Sequence, residues 1–115
     1  MLFRSGGKYL WPIYDSYEIF VSDLSGNIVK QLTNSPGYDA EATLSPKGDK
    51  IVFTSLRNGD LDLYVMDVKG KHVRQITNTL GYDGGAFFSP DGKKIVFRAS
   101  RPNTEEKKKI GRAHV

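Results

Sequence analysis

The tripeptide Gly-Tyr-Asp occurs twice in this chain, at residues 37–39 and 81–83. Its two phenols and two carboxylates could hold a cationic or peptide group through cation–π and charge contacts. Glu41 lies two residues beyond the first copy and could add a further carboxylate. The candidate contacts for a ligand or partner are therefore Tyr38, Asp39, Glu41, Tyr82 and Asp83.

The same tripeptide also has a purely structural interpretation. Glycine can adopt the positive φ of a turn, tyrosine can pack between sheets, and aspartate can accept hydrogen bonds from backbone amides or from Arg57 or Arg101. Both copies retain all three residues. A role in building each copy explains that repetition more simply than a unique binding site does.

Catalytic serine and histidine patterns are absent from the sequence. Ser45 and Ser89 lie in Ser-Pro-x-Gly turns, not in a Gly-x-Ser-x-Gly elbow, so a catalytic triad is unsupported. His72 is expected to be solvated or to pack. No metalloprotease helix, phosphate-binding loop or dinucleotide fingerprint occurs, so no catalytic residue and no cofactor is predicted.

Three aspartates, Asp60, Asp62 and Asp67, superficially resemble a calcium-binding loop. Such a loop needs a glycine at its sixth position, and here the segment alternates like a strand. The three carboxylates are therefore interpreted as structural, and no metal site is predicted. The chain also contains no cysteine, which excludes a disulfide scaffold and a thiolate metal site.

Composition narrows the class of protein further. The 115 residues are 38% hydrophobic and include 12 glycines, as in β-rich globular proteins. No apolar run approaches the roughly 18 residues that span a bilayer. The net charge of +4 owes much to Arg4, Lys109 and Arg112 near the ends, and falls to about +1 without them. Neither a nucleic-acid partner nor a membrane span is expected.

The sequences of both ends of the chain predict that they do not belong to the natural protein. The first five residues, MLFRS, and the last six, IGRAHV, resemble translated sequencing adapters on either side of one reading frame. Residues 1–5 and 109–115 are accordingly interpreted as adapter-derived, and residues 6–108 as the natural sequence.

A tandem repeat organises the interior. Residues 17–57 align without a gap to residues 61–101 at an offset of 44, and 19 of the 41 aligned pairs are identical. This period is the length of one propeller blade or solenoid unit. Each repeat predicts four short antiparallel strands: a at 40–44 and 84–88, b at 50–55 and 94–99, c at 18–24 and 61–67, and d at 28–33 and 72–77. Ser-Pro-x-Gly and Ser-Gly or Lys-Gly turns join a to b and c to d.

Four strings in this repeat carry a family resemblance. SPDGKKIVF, the arginine that follows, LYVMDVKG and RQIT resemble the WD-like repeat of bacterial TolB-type β-propellers. The resemblance implies a blade with strand a innermost and strand d outermost. Residues 6–108 would then form a partial β-propeller of about two blades: strands c and d of one, all of the next, and a and b of a third.

The resemblance also predicts burial and contacts. Sheets stacked face to face would bury Val52, Phe53, Tyr64, Val96 and Phe97. The first and last blade faces would be uncovered, so the isolated chain is expected to self-associate through them. By the same resemblance, the Gly-Tyr-Asp triplets link the outer strand of one blade to the inner strand of the next, near the mouth of the central channel.

Three functional hypotheses follow. The first is a non-catalytic TolB-like module that binds a protein or peptide in the periplasm or another extracytoplasmic space. The second is the propeller of a prolyl-oligopeptidase-type serine peptidase whose catalytic domain lies outside this chain. The third is a small-ligand or sugar-binding propeller, although Gly84, Gly85 and Ala86 offer few polar groups. The first hypothesis is favoured.

Overall fold

The computed structural model describes residues 3–5, 8–10 and 16–101. These residues form strands and connecting turns without a helix, which confirms the all-β prediction. In chain order the strands are β1 (Phe3–Ser5), β2 (Lys8–Leu10), β3 (Ser16–Tyr17), β4 (Phe20–Ser22), β5 (Ile28–Gln31), β6 (Gly37–Leu44), β7 (Lys50–Ser55), β8 (Asp62–Asp67), β9 (Arg74–Gln75), β10 (Asp83–Phe88) and β11 (Ile95–Ala99).

One complete blade occupies the middle of the described chain. Strands β6, β7, β8 and β9 pair in sequence order, each antiparallel to the next. Strand β7 has the predicted bounds, and β9 is shorter than predicted. Strand β6 begins at Gly37, before the predicted residue 40, because β3 pairs with its first two residues in parallel.

Two half-blades flank this central blade. Strands β4 and β5 form one antiparallel pair, corresponding to strands c and d, and β10 and β11 form another, corresponding to a and b. The predicted division of the repeat into half a blade, a whole blade and half a blade is therefore what the described residues adopt. Strands β1 and β2 pair with each other.

The a–b turns are closed by the same serine in both repeats. The Ser45 amide donates to the Lys50 carbonyl at 2.8 Å, and the Lys50 amide donates to the Ser45 hydroxyl at 3.0 Å. Ser89 and Lys94 form the same two bonds at the same distances. The repeated Ser-Pro-x-Gly string is thus a closed hairpin turn whose side chain replaces a missing ladder bond.

The c–d turns are closed by aspartate. One carboxylate oxygen of Asp23 accepts from the amides two and four residues later, at 2.9 and 3.0 Å. Asp67 accepts from the corresponding amides at 2.9 Å each. The glycines of these turns, Gly26 and Gly70, have φ values of +90° and +82°, a conformation that side chains disfavour.

The core consists of two apolar layers, one on each face of the central blade. Ile19 and Leu32 of the first half-blade pack against one face, which is formed by Ile51, Phe53, Tyr64 and Met66. Val52, Leu63 and Val65 pack from the opposite face against Ala86, Phe88 and Ile95 of the last half-blade. The predicted burial of Val52, Phe53 and Tyr64 is confirmed, since they are at most 3% exposed.

The predicted burial of Val96 and Phe97 is wrong for this chain. Val96 is 67% exposed and Phe97 is 37% exposed. Both lie on β11, whose outer face and free edge no other described strand covers. At the opposite end of the stack Phe20 is 49% exposed, so the prediction that both terminal faces are uncovered is confirmed.

The predicted domain boundaries are not tested by the fold. Residues 109–115, which the sequence predicts to be adapter-derived, lie outside the described residues, and so do residues 1–2 of the other predicted adapter segment. The division at residues 5 and 108 stays a prediction.

Replacing the glycine of each c–d turn by alanine distinguishes the cost of turn strain from the cost of a clash between blades. A Cβ on Gly70 would lie 2.4 Å from the carbonyl oxygen of Leu32 in the neighbouring half-blade, whereas a Cβ on Gly26 meets nothing within 4 Å. Gly26→Ala is expected to cost about 1 kcal/mol from the positive φ alone. Gly70→Ala has the same turn strain and must also push the two blades apart.

We therefore expect Gly70→Ala to lower the free energy of unfolding by at least about 2 kcal/mol more than Gly26→Ala. Urea titration followed by Trp11 or Tyr fluorescence measures the difference. Equal losses for the two variants would contradict the close approach of the Gly70 turn to the carbonyl of Leu32.

Candidate functional site

The two Gly-Tyr-Asp triplets lie at the same end of their blades. Strands β6 and β10 begin there, and the b–c loop after β7 returns to the same end because the strands are antiparallel. The Leu56 amide donates to the Tyr38 carbonyl at 2.9 Å, and the Ser100 amide donates to the Tyr82 carbonyl at 2.8 Å. We call this end, with residues 35–41, 56–62, 79–85 and 98–101, the triplet end.

Each triplet aspartate is paired with the arginine of its own blade. Asp39 accepts from the Arg57 guanidinium at 3.3 Å and from the Ser35 hydroxyl at 2.8 Å. Asp83 accepts from the Arg101 guanidinium. Both carboxylate side chains are fully buried. This pairing is the one that the structural interpretation of the triplet predicts.

Arg57 also contacts the apolar layer. Its guanidinium carbon lies 5.4 Å from the ring centre of Phe53 and 5.1 Å from that of Tyr64, within cation–π range. Its Nε donates to the Ser55 hydroxyl at 2.9 Å. Arg57 therefore ties the start of β6, the end of β7 and the rings of the core together.

Backbone and side-chain bonds join neighbouring blades at this end. The Asp83 amide donates to the Leu61 carbonyl at 2.9 Å, and the Gly81 amide donates to the Asp60 carboxylate at 2.9 Å. The corresponding contact one blade earlier is the short parallel pairing of β3 with β6. Asp60 thus has the structural role that the sequence predicted.

The raised pKa of Asp62 was not predicted from the sequence. Its side chain is buried, and burial together with the nearby carboxylates of Asp60 and Asp83 raises its pKa to about 6. Gln75 donates to it at 3.3 Å. The available signal was that both repeats carry an acid at this position, Glu18 and Asp62, immediately before the apolar residues of strand c.

The triplet tyrosines are half-buried and face different partners. The Tyr82 hydroxyl lies 2.8 and 3.0 Å from the two carboxylate oxygens of Glu41 and donates to that group. The Arg98 guanidinium lies 5.5 Å from the centre of the same ring. The Tyr38 ring is 5.1 Å from that of Tyr17. Burial, with Glu41, Tyr82 and Tyr17 nearby, raises the pKa of Tyr38 to about 12, so its phenol stays protonated.

Glu41 has a strained backbone. Its φ is +57°, in the left-handed region, and its counterpart in the next repeat is Gly85 with φ +62°. Both positions interrupt the pairing of strand a with strand b, as a β-bulge does. A glutamate at a position where the repeat otherwise has glycine costs conformational energy, of order 1 kcal/mol. This observation favours a specific role for the Glu41 side chain.

Gly84 is required by the contact between the two blades. A Cβ at this residue would lie 2.5 Å from the Tyr82 hydroxyl and 2.6 Å from a carboxylate oxygen of Glu41. The corresponding residue in the previous repeat is Ala40. The small residues that appeared featureless in the sequence therefore make room for the Tyr82 to Glu41 hydrogen bond.

The structure brings the five predicted contact residues to one end but gives them different exposures. Tyr38, Glu41 and Tyr82 are half-buried, whereas Asp39 and Asp83 are buried. His72 lies in the c–d turn at the opposite end, where its side chain is 84% exposed, as predicted. No group of three or more His, Cys, Asp or Glu residues that could hold a metal ion occurs in the described part of the chain.

Comparisons with known proteins agree with this architecture. The model of the TolB β-propeller domain family matches residues 15–106. A solved structure from Agrobacterium tumefaciens, assigned as TolB, superimposes with a TM-score of 0.67 at 26% sequence identity. The match covers 90% of this chain and 35% of that protein, so the chain spans about a third of its length. No curated protein matched the chain.

Removing Arg57 is expected to destabilise the fold, because it leaves the Asp39 carboxylate buried without a cation. Arg57→Met should lower the free energy of unfolding by roughly 2 to 4 kcal/mol. Arg101→Met is the matched variant and should cost less, because the Arg101 side chain is 38% exposed against 24% for Arg57. Urea unfolding of both variants measures the difference.

The double variant Arg57→Met with Asp39→Asn tests the cause. It removes the orphaned charge and should recover part of the lost stability. If the double variant is less stable than Arg57→Met alone, the loss comes from packing of the arginine stem instead of the unpaired carboxylate.

Asp62 predicts a pH dependence of stability. Its pKa in the folded state is about 6, above its ordinary value of 3.8, so the folded state binds the proton more tightly. The stability that this proton contributes is fully present below pH 3.8 and is lost as the pH rises through about 6. As the pH rises from acid to neutral, the free energy of unfolding of Asp62→Asn should therefore increase by roughly 1 to 3 kcal/mol relative to that of the unsubstituted chain.

Asp23→Asn is the control for this measurement. Amide and side-chain hydrogen bonds from Asn27 lower the pKa of Asp23, so its contribution has the opposite sign and is lost as the pH falls. The difference in unfolding free energy between Asp62→Asn and the unsubstituted chain should develop between pH 3.8 and about 6, whereas the difference for Asp23→Asn should develop below pH 3.8 and have the opposite sign. Parallel curves would show that Asp62 titrates normally.

Proposed function

Because this chain belongs to the TolB β-propeller domain family, we propose that it is a non-catalytic module that binds a protein or peptide partner at the triplet end. The observation that carries the proposal is Glu41. Its backbone is held in a left-handed conformation, its carboxylate accepts a hydrogen bond from the next blade, and its side chain stays half-exposed. Strain of this kind, held by surrounding contacts, is typical of binding sites.

The charge of the triplet end supports a cationic partner. Acidic side chains outnumber basic ones there, five to three: Asp39, Glu41, Asp60, Asp62 and Asp83 against Arg57, Arg98 and Arg101. Two half-buried phenol rings, Tyr38 and Tyr82, lie beside this acidic group. A lysine or arginine of a peptide would gain both charge and cation–π contacts.

The five predicted residues take two roles in this proposal. Tyr38, Glu41 and Tyr82 contact the partner, since they are the half-exposed members. Asp39 and Asp83 act indirectly, because their buried carboxylates hold the arginines and thereby the loops that frame the site. A nucleic-acid partner is disfavoured, because acidic side chains repel phosphates.

The proposal also includes an extracytoplasmic location for the protein and a non-catalytic role. Family membership supports a periplasmic or other extracytoplasmic location. In the described residues there is no helix with the length and apolar character needed to cross a bilayer. A non-catalytic role is supported by the position of His72, at the end of the blade remote from the triplets.

Peptide binding at this site can be measured directly. Fluorescence anisotropy with labelled hexapeptides containing two lysines should show binding that weakens with added salt, and a matched glutamate series should not bind. Glu41→Gln should weaken binding about five- to tenfold, since one charge contact contributes roughly 1 kcal/mol. Asp91→Asn, in an a–b turn at the opposite end, is the control and should leave the affinity unchanged.

The proposal fails if glutamate peptides bind as well as lysine peptides, or if Glu41→Gln and Asp91→Asn have the same effect. Circular dichroism of both variants separates lost binding from lost folding.

A further inference from the structure

An apolar groove lies between the central blade and the last half-blade. It has a volume of about 450 Å³, and its apolar lining is formed by Leu63, Val65, Ile76, Phe88, Ile95 and Phe97. On its rim lie Lys50, Arg74 and Lys93. Strand β11 borders the groove with a free edge, because β10 is its partner within the described sheets.

Comparison of the groove with the equivalent core layer one repeat earlier shows which strand would cover it. Moving the first core layer forward by one 44-residue period places Ile19, Leu32, Ile51 and Phe53 onto Leu63, Ile76, Ile95 and Phe97, which line the groove. In the first layer Tyr64 and Met66 of strand β8 complete the packing. The groove is therefore a core layer that no strand c covers within residues 16–101.

Strand β4 has the matching features. Phe20 and Ser22 occupy the positions in the repeat that Tyr64 and Met66 occupy in β8. Phe20 is 49% exposed, and within the described sheets β4 pairs with β5, which leaves its other edge free. Among the described strands, β10 and β11 have no partners in the positions of strands c and d, and β4 and β5 have none in the positions of strands a and b.

A second set of exposed residues is reciprocal to the first. The second core layer combines Val52, Leu63, Val65, Ala86, Phe88 and Ile95. One period earlier, the counterparts of the other five residues are Ile19, Val21, Ala42, Leu44 and Ile51. The counterpart of Val52 one period later is Val96, in the last half-blade. Val21, Ala42, Leu44 and Val96 are all exposed in the single chain, with Leu44 at 57% and Val96 at 67%.

We propose that the β10–β11 half-blade of one copy of this chain docks on the β4–β5 half-blade of a second copy and completes a four-stranded blade. The occupant of the groove is thus a second copy, docked through strand β4. One interface would cover five of the twelve exposed large apolar side chains of the described residues: Phe20, Val21, Leu44, Val96 and Phe97. The proposal does not depend on the peptide site.

The internal blade gives the register of this interface. Strand β7 pairs with β8 as Lys50↔Asp67, Val52↔Val65 and Phe53↔Tyr64. Strand β11 is the repeat counterpart of β7, and β4 is that of β8. In the same register β11 would pair with β4 of the second copy as Lys94↔Asp23, Val96↔Val21 and Phe97↔Phe20. The first pair joins opposite charges, as its internal counterpart does. Because Val96 and Val21 belong to different surfaces, the contact is head-to-tail and closes into a ring when the rotation allows.

Each copy supplies strands for two blades, and closed propellers contain about four to eight. Closed assemblies of two to four copies are therefore expected. Native mass spectrometry of the full chain at micromolar concentration should show one such species, in place of a monomer or an indefinite aggregate.

Cysteine cross-linking tests the register, since the chain has no cysteine of its own. Val21→Cys mixed with Val96→Cys should give a disulfide-linked heterodimer under mild oxidation, and either variant alone should not. Val29→Cys, on the exposed face of β5 and one strand further away, is the control partner for Val96→Cys and should not cross-link.

A charge variant tests the assembly itself. Val96→Asp should raise the dissociation constant at least about tenfold, because it places a carboxylate among apolar side chains. Leu24→Asp changes a fully exposed leucine outside the interface and should have no such effect. Both side chains are exposed in the single chain, so neither variant should unfold it.

A monomeric chain at these concentrations would overturn the proposal and would assign the groove to a strand of another protein or another segment. Equal cross-linking through Val21 and Val29, or equal effects of Val96→Asp and Leu24→Asp, would overturn it as nonspecific association.

Discussion

Each blade of this protein has two apolar faces, and both must be covered. Val52 and Phe53 are consecutive residues of one strand and are both fully buried. Their side chains point to opposite faces, because successive residues of a strand alternate. Val52 packs against the following half-blade and Phe53 against the preceding one. A single blade cannot satisfy both residues, so stacking of neighbours is the condition for every other feature of the fold.

Polar contacts determine how the blades stack. The Asp39 to Arg57 pair joins the first strand of a blade to its b–c loop, and the Asp83 to Leu61 backbone bond joins one blade to the next. The Gly70 turn comes close to the carbonyl of Leu32 on the neighbouring half-blade. Burial of a charged pair adds little net stability, but a misplaced blade would leave these groups unpaired. The polar network therefore restricts the stack to one register.

The same network supports the triplet end, where we propose the binding site. The aspartates and arginines hold the loops, and the partly exposed side chains of Tyr38, Tyr82 and Glu41 lie on that support. Glu41 contacts Tyr82 of the following blade, so its position depends on how two blades are arranged. For the proposed site, residues held in place by contacts between blades would lose less entropy on binding than residues of a free loop.

The period of the fold, its strand order and its turns could be predicted from the amino-acid sequence, because these depend on short-range chemistry. Ser45 and Ser89 close hairpins within five residues, and the alternation of β8 follows from the geometry of a strand. The pairing of Asp39 with Arg57 was also predictable as one alternative, since both repeats keep the two residues at the same spacing.

Features that depend on the distance between blades could not be predicted without the tertiary structure. The raised pKa of Asp62 requires Asp60 and Asp83 to lie nearby, and the latter is on another blade. The role of Gly84 follows from the approach of Tyr82 to Glu41. Val96 has the same residue type and the same repeat position as Val52, yet one is exposed and the other buried. A repeat pattern specifies which face of a strand is apolar, but whether that face is covered depends on a neighbour that the pattern does not contain.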